Sequence, residues 1–410
     1  MHDGGRNFQL MAKPSGSVCN LRCDYCFYLE KSQLYPQRAA RWKMDDATLE
    51  NYIRQTIQAQ RAPVVDFIWQ GGEPTLAGLD FYRRALALQQ RYGQGKRLNN
   101  FFQTNGINLN DDWARFFKQH RFLVGISLDG DRATHDRFRR TRGDKGSFDE
   151  VMAGLASLQR HHVDVNTLTV VNADNAARPL EIYHFLRRAG SRYMQFIPLV
   201  ERRAAQPDAS GLTLVTPDFV GDCQVAPWSV PARAYGRFLN AIFDHWAQHD
   251  IGSVFVMNFE QTLAKLAGQP GICVQSETCG GNLVVEAQGD VYACDHFVYP
   301  QYRLGNINRD ELRTLVNSEQ QRAFGERKLT QLNQHCLNCD VRPLCHGGCP
   351  KHRFLPAGDG RAQNYFCEGL ALHFRHTLPV MRQIVALAQQ GKSLVQLRKC
   401  IRRYYQGQRP

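Results

Sequence analysis

Three cysteines near the N-terminus, Cys19-x3-Cys23-x2-Cys26, lie on one short stretch that runs into Phe27 and Tyr28. Thiolates at this spacing on a tight loop can hold three irons of a four-iron cubane cluster. One ligand is missing, which points to an iron left open for chemistry. The logic is that of zinc, where closed sites are structural and open ones reactive. Three buried apolar cysteines are the inert alternative. A zinc site would need a fourth ligand, and no His or further Cys lies nearby in sequence. Eight more cysteines follow late in the chain: Cys273, Cys279, Cys294, Cys336, Cys339, Cys345, Cys349 and Cys367. They suit two fully ligated cubanes at four each, or a pair of zinc-ribbon-like sites. Cys223 and Cys400 have no partner motif and read as inert thiols.

Composition narrows the setting for this chemistry. The chain has 410 residues and is 43% hydrophobic, with a mean hydropathy of −0.44. That suits one large or two medium soluble domains with a substantial core. No apolar run approaches the roughly 20 residues that span a bilayer. The opening MHDGGRNFQL lacks the basic and apolar regions of a secretory signal. A cytoplasmic protein is expected, where cysteine-rich patterns mean metal or catalysis and not disulfides. Formal charge is +13, and thiolates bound to three clusters would lower it to about +8. The remaining excess, part of it in the stretch Arg398 to Arg409, reads as a solvated basic tail, or as a surface steering an acidic protein partner.

The elements that must position these cysteines alternate. Strands are expected at Phe8–Ala12, Val64–Trp69, Asn100–Gln103, Leu123–Ser127, Val165–Val171 and Tyr193–Ile197. Helices are expected between them at Asp45–Gln60, Asp80–Tyr92, Asp111–His120, Ser147–His161 and Ala176–Ala189, with Asp45 and Ser147 as caps. Six strands alternating with helices predict an α/β fold with a parallel sheet. Six units are too few for a closed eight-unit barrel, so the reading is a partial (β/α)6 barrel with its ligands at the C-terminal strand ends. Residues 201–231 lose periodicity and read as a long loop, linker or substrate lid. A helix Ala232–His249, a strand within Ile251–Met257 and a β-hairpin turning at Gln288-Gly289-Asp290 are expected next, followed by a largely helical tail beyond Gly369. The resulting domains are 1–230 (core), 231–272 (linker helix region), 273–370 (small cysteine-rich domain) and 371–410 (helical segment and basic tail).

Cys19-x3-Cys23-x-Tyr25-Cys26, with an aromatic before the last cysteine, resembles the signature of radical S-adenosylmethionine (SAM) enzymes. The resemblance implies that the open iron chelates SAM and that reduction cleaves it to a 5'-deoxyadenosyl radical. The cofactor carries the hard chemistry and the protein positions it. Gly71-Gly72-Glu73-Pro74 follows the second strand. Its glycines allow close backbone approach, and Glu73 could accept from an ammonium. A tight βα turn would explain the motif alone, but its place one strand after the triplet matches the family, where this segment contacts the SAM amino group. Gln103-Thr104-Asn105-Gly106 ends the third strand and reads as site lining. Ser127-Leu128-Asp129-Gly130 ends the fourth, with Arg139 shortly after. The resemblance puts Ser127 and Arg139 on SAM, although Arg139 also reads as one charge of the basic run Arg137–Arg142. Leu199 would pack on the adenine, or simply in the core.

Cys336-x2-Cys339-x5-Cys345-x3-Cys349, with Cys367 after it, resembles the SPASM domain of peptide-modifying radical SAM enzymes. The resemblance implies one auxiliary cluster on Cys273, Cys279, Cys294 and Cys349, and a second on Cys336, Cys339, Cys345 and Cys367. With Cys294-Asp295 and Tyr299-Pro300-Gln301-Tyr302-Arg303-Leu304-Gly305-Asn306, the whole chain is most similar to the anaerobic sulfatase-maturating enzymes. That likeness implies oxidation of a sulfatase Cys or Ser to formylglycine without oxygen, with three [4Fe-4S] clusters and SAM as cofactors. It makes Asp295 the catalytic general base, where the plain alternative is a turn cap or an ion pair with an arginine. It also implies an electron donor such as flavodoxin or ferredoxin, with no membrane and no nucleic-acid partner. The alternatives are a SPASM enzyme that forms thioether or carbon–carbon crosslinks in a peptide, and a zinc-dependent nucleic-acid-binding protein. In the last, Gly71–Pro74, Ser127–Gly130 and the six βα units would have no role.

Overall fold

Alternating burial along Val64–Trp69, Arg97–Thr104 and Asp164–Val171, and continuous burial along Leu123–Ser127, build the sheet. A computed structural model describes residues 7–35, 42–206 and 211–407. Strands β1 (Gln9–Lys13), β2 (Val64–Trp69), β3 (Arg97–Thr104), β4 (Leu123–Ser127), β5 (Asp164–Val171) and β6 (Tyr193–Pro198) are parallel neighbours in chain order. Leu10, Ala12, Val65, Phe67, Trp69, Phe102, Val124 and Ile126 point to one buried face. Trp69 anchors that face, edge-on to Tyr52 and Tyr82 at 5.5 Å from each ring centroid. Helices Asp46–Ala59, Leu79–Tyr92, Asp111–Gln119, Phe148–Arg160 and Pro179–Arg188 cover it. Asp45 caps the first, accepting from the Thr48 N–H at 2.8 Å. Ser147 does not cap the fourth. Its hydroxyl donates to the Arg139 carbonyl, and Asp136 instead accepts from the Ser147 and Phe148 N–H groups. The fifth starts at Pro179, later than expected, because proline fits the first helical position.

The 201–231 segment is not a free loop. It carries an antiparallel pair, β7 (Arg202–Ala204) and β8 (Cys223–Val225), and its residues 207–210 lie outside the described residues. Glu30 ties it to the cysteine loop by accepting from the Thr213 and Leu214 N–H groups, 3.0 Å each.

The expected domain boundaries do not follow the packing. The expected strand at Ile251–Met257 shrinks to β9 (Phe255–Val256), parallel to β6, and Met257 opens a helix to Leu266. The hairpin β10 (Asn282–Glu286) and β11 (Asp290–Tyr292) forms as expected. Yet β10 also pairs in parallel with β1, and β12 (Arg303–Asn306) follows β11, giving a single ten-stranded sheet. The cysteine-rich part thus grows from the barrel's edge, and the backbone groups of β1 are paired on both sides. A small hairpin, β13 (Arg353–Pro356) and β14 (Ala362–Asn364), completes the strands among the described residues.

The helix Ala232–His249 is not a linker. It packs against the barrel and against Cys367–Gln389, one unbroken helix that crosses the expected boundary at 370. Nor is the basic C-terminal stretch a solvated tail. Leu394–Gly407 is a helix with Leu397 and Ile401 buried. Arg398 donates to the Ile251 carbonyl and Arg402 to that of Gln248, so two of its charges serve the C-terminal end of Ala232–His249. Arg409 lies outside the described residues. No helix among them is long and apolar enough to cross a membrane.

Candidate active site at the strand ends

The loop after β1 carries Cys19, Cys23 and Cys26 and is held from two sides. On one side the Gly72 N–H donates to the Gly16 carbonyl at 2.8 Å and the Glu73 N–H to that of Val18 at 2.9 Å. A Cβ at Gly72 would stand 2.1 Å from the Val18 oxygen, so this glycine admits protein backbone. On the other side Arg22 N–H donates to the Arg140 carbonyl at 2.7 Å and Asp24 N–H to that of Phe138 at 3.2 Å. Burial pushes the Cys19 thiol up to about 11 and the Cys23 thiol up to about 12, and raises Cys26 as well. The Leu21 N–H (3.4 Å) and the Asn105 side-chain amide (3.6 Å) point at the Cys19 sulfur.

Glu73 is not an open acceptor. It is fully buried, and its carboxylate accepts from the Thr75 N–H and hydroxyl, the Thr104 hydroxyl and the Asn105 N–H. It locks the ends of β2 and β3 together and leaves its own backbone facing the cysteine loop. Ser127 Oγ accepts from Gln103 at 3.2 Å. Asp129, also fully buried, accepts from the Tyr25 hydroxyl at 2.6 Å, from Arg139 at 2.8 and 3.2 Å, and from the Val170 N–H at 2.9 Å. Burial pushes the Asp129 carboxyl up, but Arg139, joined by His135 and the Tyr25 hydroxyl, holds the group below the usual range. Arg139 is therefore no loose member of a basic run. Leu199 packs with Tyr25 and Phe138, beside Cys23 and Trp228.

The eight late cysteines separate by mutual charge. Burial raises Cys279, Cys294 and Cys349, the last to about 11. The next contributions among thiols come from within that group and Cys273. Burial raises Cys336, Cys345 and Cys367, the last two to about 11 and about 12, and their thiol neighbours are each other and Cys339. Cys223 and Cys400 join neither group. Among the described residues no three donor side chains converge on a single-ion site, as thiols that each ligate a different iron of a cluster need not. The donor sets nonetheless fit iron–sulfur clusters. The donors are all thiols, on loops or in short helical turns and at helix ends, and buried thiols of raised pKa become thiolates when they ligate metal.

Asp295 lies between the cysteine loop and this second half. Its Oδ1 is 2.5 Å from Lys13 Nζ, which also reaches Gln70 Oε1 at 3.2 Å and the Tyr28 ring centroid at 4.5 Å. Burial pushes the Asp295 carboxyl up, but Lys13, then His296 and Lys351, hold it below the usual range. The bland expectation of an arginine partner is thus replaced by a buried lysine. Lys351 pairs with Glu201 at 2.5 Å and stands 4.1 Å over the Phe27 ring. Lys31 Nζ sits 3.0 Å over the Tyr299 ring, and burial, then Lys351, lower it well below the usual range. His296 Nδ1 is 3.5 Å from Cys349 Sγ.

A family model described as the Radical SAM superfamily matches residues 14–186, and one for SPASM, an iron-sulfur cluster-binding domain, matches 273–340. A serine-type anaerobic sulfatase-maturating enzyme of Bacteroides thetaiotaomicron is 42% identical over 91% of this chain and 90% of its own. The chain belongs to the anaerobic sulfatase-maturating enzyme family. A cysteine-type member from Clostridium novyi is 33% identical over 91% of this chain and 96% of its own. The solved structure of native anSMEcpe with bound AdoMet and Cp18Cys peptide is 28% identical, with a TM-score of 0.80 over 92% of this chain and 98% of that one. Streptococcus suis SuiB bound to its precursor peptide SuiA, at 13% identity and a TM-score of 0.60, shares the fold.

In this radical SAM enzyme several site residues escaped motif reading. Lys13 looks like a strand end, and only its charge on the face shared with Met11 marks it. Asp129 stands inside a quoted motif, but its partners Tyr25 and Arg139 come from two other segments. Lys31, Glu201 and Lys351 carry no motif and meet only in the fold.

Proposed function

We propose that this enzyme oxidises a Cys or Ser of a sulfatase to formylglycine. The observation that carries the reading is Asp295, directly after Cys294, held ionised by Lys13 at the end of β1. A half-buried carboxylate between the two cysteine-bearing halves is suited to accept the hydroxyl or thiol proton of a substrate side chain. In this reading Cys19, Cys23 and Cys26 hold the SAM-binding cluster. Cys273, Cys279, Cys294 and Cys349 hold one auxiliary cluster, and Cys336, Cys339, Cys345 and Cys367 the other. When bound, SAM on the open iron supplies hydrogen-atom abstraction at Cβ, and the auxiliary clusters take up the remaining electron.

The chain's own residues do the rest. Asp129 fixes Tyr25 and Arg139 beside the cysteine loop, while the backbone of Gly71–Glu73 and the end of β4 at Ser127 frame the SAM side. Lys13 keeps Asp295 charged until it takes the proton. An external electron donor such as flavodoxin or ferredoxin completes the reading.

The test is incubation of the reconstituted enzyme, reductant and SAM with a sulfatase-motif peptide. A serine peptide comes first, because serine-type relatives are 42% and 38% identical and cysteine-type ones 33% and 28%. Formation of 5'-deoxyadenosine with loss of two hydrogens from the serine peptide is expected. Absence of both, with serine and cysteine peptides alike, would overturn the reading. Asp295→Asn should abolish peptide oxidation and spare SAM binding.

A further inference from the structure

Cys345 and Cys349 belong to different thiol groups and are only a short turn apart. The residues between them, His346, Gly347 and Gly348, all have left-handed backbone, with φ of 45°, 71° and 63°. Such a run is costly for a residue with a side chain, so the surroundings must enforce it. Arg353 does so. Its guanidinium donates to the carbonyls of His346 (2.9 Å) and Gly347 (3.1 Å), and its third bond goes to the Lys328 carbonyl at 2.7 Å. Asn364 adds bonds to the carbonyls of Gly347 and Cys349, at 3.0 and 3.3 Å. A Cβ at Gly347 would stand 2.6 Å from the guanidinium.

Lys328 is fully buried. Its ammonium donates to the Cys273 carbonyl at 2.5 Å and to that of Ser276. Among the described residues neither cation has a carboxylate partner, and every bond that Arg353 makes is to a carbonyl. Its countercharge must come from elsewhere. Burial works against the Arg353 charge, and Cys336, Cys349, Cys345 and Cys279 support it, two from each group. An arginine stays protonated in proteins, so this is a permanent charge between two anionic sites.

We propose that Arg353 is a shared electrostatic partition between the two auxiliary clusters, raising the reduction potential of both while its fork fixes the turn that separates them. The inference rests on the reading that both groups hold clusters. It makes Arg353 a positioning residue that touches no substrate. Reduction makes a cluster more negative, and a buried cation nearby stabilises the reduced form.

The experiment is an EPR-monitored redox titration of the reconstituted full-length enzyme, with iron and sulfide counted per chain. Arg353→Gln should load as much iron as the parent and shift both auxiliary potentials to lower values. Arg353→Lys, which keeps the charge and loses the fork, should keep the potentials and lower the melting temperature. Full iron loading with unchanged potentials in Arg353→Gln would overturn the proposal, as would equal shifts in the Gln and Lys variants. Should Arg353→Gln load poorly, Lys328→Gln decides. Its ammonium donates to the Cys273 and Ser276 carbonyls and lies nearer that thiol group, so that site should shift downward more than the other, and a shift in neither or in both equally counts against a partition. A parent enzyme with no auxiliary cluster signal would instead refute the functional reading.

Discussion

Lys13 Nζ lies 2.5 Å from Asp295 Oδ1 and joins the first barrel strand to the residue after Cys294. Lys13 is itself buried, so removing it leaves a half-buried carboxylate without its closest cation. Burial then favours the neutral acid, which cannot take a proton. Lys13→Met is expected to cut peptide oxidation by more than tenfold (about 1.4 kcal/mol in barrier) with little change in SAM binding, and Lys13→Arg to restore part of the rate. Steady-state kinetics beside equilibrium SAM binding checks this. A Met variant at the parental rate would remove Lys13 from the machinery.

Gly72 tests the seating of the cysteine loop. A methyl group there meets the Val18 carbonyl at 2.1 Å, and backbone cannot swing aside as a long side chain can. Gly72→Ala should cost about 1–3 kcal/mol, displace residues 16–19 and lower iron retention at the first site. Iron per chain and SAM affinity are the measurements, and parental values for both would contradict the packing.

Ile401 tests the docked C-terminal helix. It is completely buried, and truncation to Ala should destabilise the chain by ~2–5 kcal/mol while SAM binding persists. A solvated tail would show no change in thermal or urea midpoint.

Legibility in the sequence followed range. β2 and β4 were readable to the residue, because a short apolar run bounded by turn residues has a local cause. The Cys19, Cys23 and Cys26 triplet was readable from spacing, since ligands on one loop leave a short-range signature, whereas the interleaved division of the eight late cysteines came from the family resemblance alone. The addition of β10 to β1 was not, because it joins strands some 270 residues apart through backbone bonds that leave no mark on composition. Ser147 was misread as a cap for a related reason. Asp136, at the end of the short helix Arg132–Asp136, reaches the same N–H groups as a longer and charged acceptor. Lys13 and Arg353 were invisible because a cation at a strand end reads as surface until its neighbours are known.

Asp129 carries the last prediction. Its carboxylate holds the Tyr25 hydroxyl and the Arg139 guanidinium inside the protein. Asp129→Asn leaves Arg139 buried without its counterion, which should cost roughly 3–5 kcal/mol and loosen the segment between Cys23 and Cys26. The pH dependence follows from the direction of the shift. Arg139, with His135 and Tyr25, holds the carboxyl below its ordinary value against burial, so its contribution is complete above the unfolded carboxyl pKa and is lost only as pH falls through the lower folded value. Urea unfolding of parent and variant should therefore show the same gap at about pH 7 and about pH 5, both above the ordinary value near 3.9. A gap already shrinking by pH 5 would mean that burial, and not Arg139 and its neighbours, governs Asp129.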